Sequence, residues 1–152
     1  MLLALDPGPT QTGYAIVRAA GGRATFVSGG LARSCRRELV PLLEQAEAVA
    51  LEVPRGPIFA PYRGPTIIAT AGIACAIAWE AERLGKPVVE FTAGEVRKAL
   101  CGKANANDHA VADVVRGNVV DFPARSNEHV RDACALAVVG AWKFAGQIGA
   151  RV

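Results

Sequence analysis

Hydrophobic positions in this chain come in short blocks whose period switches between strand-like and helix-like. Residues 2–6 (LLALD) are a nearly unbroken apolar run closed by a carboxylate, which reads as a short buried strand. Pro7-Gly8-Pro9 can neither extend that strand nor start a helix without a turn. Tyr14-Ala15-Ile16-Val17 follows as a second β-rich run. Residues 23–28 (RATFVS) alternate, and the Gly21-Gly22 turn joins them to the run before. Three consecutive strands with short connections make an antiparallel meander.

Leu39, Leu42, Leu43 and Ala46 recur at helical spacing, and Pro41 among them predicts a kink or a late helix start. Residues 48–53 (AVALEV) form another buried strand, and again an acid, Glu52, stands near its end. The next segment, PRGPIFAPYRGPT, is a proline- and arginine-bearing loop unlike the rest of the chain. Residues 67–84 read as a long helix whose Gly72, Ala74, Ala76 and Ala78 permit close approach of another helix, and Gly85 closes it. A fifth strand at 88–91 leads to short helices at 93–100 and 108–115, and a last helix spans 129–144 behind Asn127-Glu128. The whole predicts one α/β domain over residues 1–152. It is a five-stranded mixed sheet with the meander at one edge, parallel strands in the middle and helices as flanks. A right-handed crossover sets the first and fourth strands side by side, so Asp6 and Glu52 share one end of the sheet.

Composition adds limits more than content. Hydrophobic residues at 51% and charged residues at 20% suit a compact soluble protein, and the net charge of +3 permits a polyanionic partner without demanding one. Cys35, Cys75, Cys101 and Cys134 are far apart without a C-x-x-C pair, which argues against zinc, and three of them sit in apolar settings expected to be reduced core thiols. No basic region precedes a long apolar stretch at the start, and the longest apolar run, 67–79, is short for a membrane span. A cytoplasmic, membrane-free protein is expected.

The last helix opens N-E-H-V-R-D-A-C-A-L-A-V, placing His129 and Asp132 on one face ahead of an Ala/Val-rich body. Each candidate has a bland reading: Asp6 as a turn device, His129 as a solvated residue, Asp132 as an acid favoured by the helix dipole. Converging, they are three carboxylates and an imidazole, whose mutual repulsion a divalent cation relieves. Oxygen-rich ligation favours Mg²⁺ or Mn²⁺, the single nitrogen leaning towards Mn²⁺. Two such ions can activate water and stabilise the leaving oxygen of a phosphodiester. Gly8 and Gly13 carry no side chain and are expected to leave room for the phosphate.

The sequence L-D-P-G-x-x-x-T-G-Y, the strand ending L-E-V-P and the helix opening H-V-R-D-A-C-A-L-A together resemble the RuvC family of Holliday junction resolvases. The resemblance covers nearly the whole chain in order. It implies an RNase H-like fold, a homodimer, and two Mg²⁺ held by Asp6, Glu52, His129 and Asp132. It places a basic residue at Arg97, with Lys98 beside it. A second family lysine falls near the acidic Asp108, leaving Lys103 as a substitute. It also puts a junction-stacking aromatic in the loop after Glu52, where Phe59 and Tyr62 are candidates and Arg55 and Arg63 are placed to meet phosphates. Helix 67–84 corresponds to the family's dimer helix. Glu52-Val53-Pro54 departs from the Glu-Gln often found there. The compact length suggests a minimal or viral member cutting varied branched DNA.

Three functions compete: a junction endonuclease, an RNase H-like nuclease acting on structured RNA, and a nucleic-acid-binding scaffold without catalysis. The H-x-x-D pair and the aromatic loop favour DNA junctions. Retained, mutually repelling acids count against a scaffold.

Overall fold

A computed structural model describes residues 1–55 and 64–148. Strand β1 (Leu2–Pro7) runs at the centre of the sheet. On one side it pairs antiparallel with β2 (Gln11–Ala20), which pairs with β3 (Arg23–Arg33), completing the meander. On the other side it pairs parallel with β4 (Ala48–Glu52), which pairs parallel with β5 (Val88–Phe91). A short strand, β6 (Val119–Val120), joins the start of β3, giving the order β5-β4-β1-β2-β3-β6 among the described residues. The sheet therefore has six strands where five are expected. Two residues at the tail of a helical pattern are too few to show a period of their own.

Helices α1 (Arg36–Gln45) and α2 (Gly64–Arg83) cover one face. The other face carries α5 (Glu128–Ile148), with α3 (Ala93–Cys101) and α4 (Asp108–Asn118) around it. Alternation along β1 divides the core. Leu2 and Ala4 face α5 with Val17, Ala50 and Leu136, whereas Leu3 and Leu5 face α1 and α2 with Leu39, Leu43 and Ile77. Asp6 continues the first series and so points to the α5 side. Helix α1 runs unbroken through Pro41, so Pro41 does not delay its start.

Two close approaches set how low α5 lies. A Cβ on Gly140 would stand 2.8 Å from the Ala50 Cβ, and one on Gly13 would stand 2.8 Å from both the Cβ and the carbonyl oxygen of His129. Gly13 is therefore filled by the first turn of α5, and the space expected there for a phosphate is taken. The cysteine expectation also needs correction. Only Cys134 is buried, while Cys35 and Cys75 are exposed and Cys101 is partly so. Cys75 lies on the outward stripe of α2, which an apolar local sequence does not reveal.

Candidate active site

Parallel pairing of β1 with β4 matches Leu5 to Leu51, so Asp6 and Glu52 are the next residues out on adjacent strands. Helix α5 brings the remaining two candidates, His129 and Asp132, from above. Its start is fixed by Asn127, whose side-chain oxygen accepts from the Val130 amide at 2.8 Å, the N-cap the sequence predicts. His129 then reaches Asp6, Nδ1 to Oδ2 at 3.5 Å, the outer limit of a hydrogen bond. The Asp6 side chain is 18% exposed and that of His129 47%, so the carboxylate is at the floor and the imidazole at the mouth.

Asp132, one turn on, accepts from Arg131 Nε at 3.2 Å. With Glu52 and Arg97 it lines a cleft of about 120 Å³, walled by Val96, Val111 and Ala135. Capping explains how Arg97 gets there. Thr92 and Glu95 form a reciprocal capping box at the start of α3, which fixes the helix that carries it.

The acids perturb one another. Burial pushes the Glu52 carboxyl up to about 8, with Asp6 and then Asp132 adding to the rise and Arg97 opposing it. Asp6 is also raised, chiefly by burial and further by Asp132, against a lowering hydrogen bond from His129. Asp132 is raised by burial too, against the pull of Arg131. Three carboxyls held above their ordinary range at one place are a functional-site signature.

Metal fits the donor chemistry: hard oxygen ligands, one imidazole, and a charge repulsion that a divalent cation would relieve. Among the described residues no three of these donors close on a single metal-sized shell. Glu52 and Asp132 line the cleft while Asp6 meets His129 outside its lining, and an ion shared by these donors needs them to draw together.

Of the other expected residues, Lys98 and Lys103 are exposed on α3 and in the connection after it. Asp108, at the position where a second lysine is expected, instead meets Arg97. Arg55 is exposed at the exit of β4. Phe59, Tyr62 and Arg63 lie outside the described residues. Sequence reasoning also missed a support beneath Asp6. Ser34 Oγ donates to the Gly8 carbonyl at 2.8 Å and stands 2.8 Å from Oγ1 of the fully buried Thr12, tying the turn after β1 to the end of β3. A lone serine after an arginine carries no local signal of that contact.

With this geometry in view, comparison with known proteins decides the family. The model of the crossover junction endodeoxyribonuclease RuvC matches residues 2–140. The chain belongs to the RuvC family. A RuvC from Saccharopolyspora erythraea is 33% identical over 153 residues, covering 93% of this chain and 77% of that protein. One from Synechococcus sp. (strain WH7803) is 29% identical over 154 residues, covering 91% of this chain and 96% of that one. A compact length is thus shared with a bacterial RuvC and does not itself point to a virus. The structure of Thermus thermophilus RuvC in complex with Holliday junction substrate superposes with a TM-score of 0.69 at 25% identity, over 97% of this chain and 95% of that one. The RNase H-like architecture expected from the motifs is the RuvC architecture.

Proposed function

We propose that this RuvC-family chain is a divalent-metal-dependent endonuclease that resolves Holliday junctions and nicks other branched DNA as a homodimer in the cytoplasm. The observation that carries the reading is the meeting of Asp6, Glu52 and Asp132 at one sheet end with their carboxyls all raised. These three acids and His129 would hold two ions of Mg²⁺ or Mn²⁺, which would supply water activation and stabilisation of the departing 3′ oxygen. Asp6 would be the ligand nearest both sides of the site, since it lies between Glu52 on the neighbouring strand and His129 on the helix. Arg97 presents positive charge from the cleft wall to the scissile phosphate. Arg55, Lys98 and Lys103, with Phe59, Tyr62 and Arg63 of the loop, extend the contact to the branch. The Holliday junction bound to the Thermus thermophilus relative supports this choice of substrate.

Dimerisation falls to α2. By length and composition this helix could cross a membrane. Here Ala74, Ile77 and Ala81 bury one side of it on the sheet, and Glu80 is tied to Arg83 and, at 3.4 Å, to Arg36 of α1. Its outward stripe runs through Ile68 and Trp79, 60% and 64% exposed, with Gly72, Cys75 and Ala76 between them. Small residues framed by exposed apolar ones fit a second copy of the same helix.

The test is cleavage of labelled four-way junction, flap, duplex DNA and structured RNA with Mg²⁺ or Mn²⁺, comparing wild type with Asp6→Asn. Metal-dependent cutting of branched DNA that Asp6→Asn abolishes is the expected result. Full activity in Asp6→Asn sinks the metal-site assignment, and preferential cutting of RNA sinks the substrate assignment.

A further inference from the structure

Arg97 leaves the middle of α3 and is caught from the side by the segment leading into α4. Its Nη1 donates to the carbonyl oxygen of Ala106 at 2.6 Å, and its Nη2 donates to Asp108 Oδ1 at 2.9 Å. The same side chain lines the cleft that Glu52 and Asp132 enter. The guanidinium thus stands at the cleft shared with Glu52 and Asp132, while a donor on each terminal nitrogen is committed to α4 and its approach. Of the five N–H groups in its rigid fork, three have no partner among the described residues.

We propose that Asp108 is a positioning residue. Together with the Ala106 carbonyl, it holds the Arg97 guanidinium off Glu52 and Asp132 and leaves its free edge for a DNA phosphate. The proposal rests on the endonuclease reading above and gives a role to an acid which that reading leaves unused.

Arginine readily pairs with carboxylates within its reach, frequently in bidentate geometry. Beside Glu52 and Asp132, an unrestrained guanidinium at the end of a flexible stem would settle on those acids. It would then cover the oxygens that a cation needs and hide its own charge from DNA. Asp108 supplies a rival carboxylate on the outer side, 62% exposed against 35% for Arg97, and so draws the guanidinium away from the cleft floor. A purely helical role for Asp108 is a poorer account of this contact. Asn107 already caps α4, its side chain accepting from the Ala110 amide at 2.9 Å.

The experiment is a double-mutant cycle on the full chain with Asp108→Asn, Asp108→Glu, Arg97→Gln and the Asp108→Asn/Arg97→Gln pair. Mn²⁺ binding is measured by calorimetry without DNA, and KM and kcat on a four-way junction are measured alongside. Asp108→Asn is expected to weaken Mn²⁺ binding and to raise KM, each by roughly 10-fold, the scale of one charge-assisted contact. Asp108→Glu recovers most of both. In the Arg97→Gln background, Asp108→Asn has a much smaller effect, because only its direct charge influence on Asp132 is left. Equal effects of Asp108→Asn with and without Arg97 overturn the proposal, as does unchanged Mn²⁺ affinity. If the wild type binds Mn²⁺ but cuts no branched DNA, the endonuclease reading fails, while the Mn²⁺ cycle still decides the role of Asp108.

Discussion

Glu52→Gln separates the charge of the site from its shape, since glutamine keeps the volume and never ionises. In the unfolded chain this carboxyl titrates near 4.5, and in the fold it is held at about 8 by burial, Asp6 and Asp132. Between those values the folded protein keeps a proton that the unfolded chain has released. The metal-free fold therefore has the full benefit below the unfolded value and loses stability as the pH rises towards about 8. Each pH unit over which the proton is retained is worth about 1.4 kcal/mol. The full span sets a ceiling of about 5 kcal/mol, the size of a marginal domain's whole stability. Water entering the cleft relieves part of that, so a loss of at least about 1.4 kcal/mol is expected, or about 3–6 °C in Tm.

The assay is thermal melting in chelator from about pH 5 to about pH 9, across the window in which the two proton affinities differ. Asp6 and Asp132 remain in the variant, so the difference between the two curves reads Glu52. Wild type and Glu52→Gln should melt together at the acid end and diverge as the pH rises, the variant becoming the more stable. Mn²⁺ should raise the Tm of the wild type at the alkaline end by binding only the folded form, and raise that of Glu52→Gln much less. Junction cleavage should be lost in the variant even where it is more stable. Parallel melting curves across the whole range would refute the reasoning, because Glu52 would then not be a buried charge facing two others.

Gly13→Ala should lift the first turn of α5, since the new methyl would lie 2.8 Å from the Cβ and carbonyl oxygen of His129. A loss of about 1–3 kcal/mol by denaturant unfolding is expected, together with weaker Mn²⁺ binding; normal values for both would mean that His129 is not seated there. Gly72 on the outward stripe of α2 has nothing within 4 Å of an added Cβ. Gly72→Ala should therefore stabilise an isolated subunit by about 0.5–1 kcal/mol. Gly72→Arg should shift the proposed dimer to monomer in analytical ultracentrifugation, and a dimer insensitive to this change would use another surface.

Much of the candidate site was legible because its residues end strands or begin a helix, where a carboxylate borders an apolar run. Asp6, Glu52 and Asp132 stand out in that way, and strand pairing makes two of them neighbours. Less was legible where a residue works through a contact distant in the chain. Ser34 supports the turn after Asp6 from the end of β3, and Asp108 meets Arg97 across two helices. Neither is marked by its own neighbours in sequence. Gly13 was read as an opening because glycine admits close approach, but the backbone alone does not say what approaches. Here it is a helix. The short β6 escaped for a related reason, since its two residues are strand only because β3 lies beside them.

The same close packing that stabilises the α5 face also fixes the spacing of the acids. Ala133, Ala137 and Ala141 are buried on α5, and Gly140 lets the helix meet Ala50 of β4 without a side chain between them. Small residues bring the helix axis near the sheet, so Asp132 descends to the level at which Asp6 and Glu52 leave their strands. Larger side chains there would bury more apolar surface but would raise the helix and separate its acid from the other two. Packing on this face thus accepts less hydrophobic volume in exchange for proximity of like charges that destabilise the metal-free fold. That combination makes physical sense where a cation joins the three acids, and it accounts for an Ala-rich helix lying over the most strongly perturbed carboxyl in the chain.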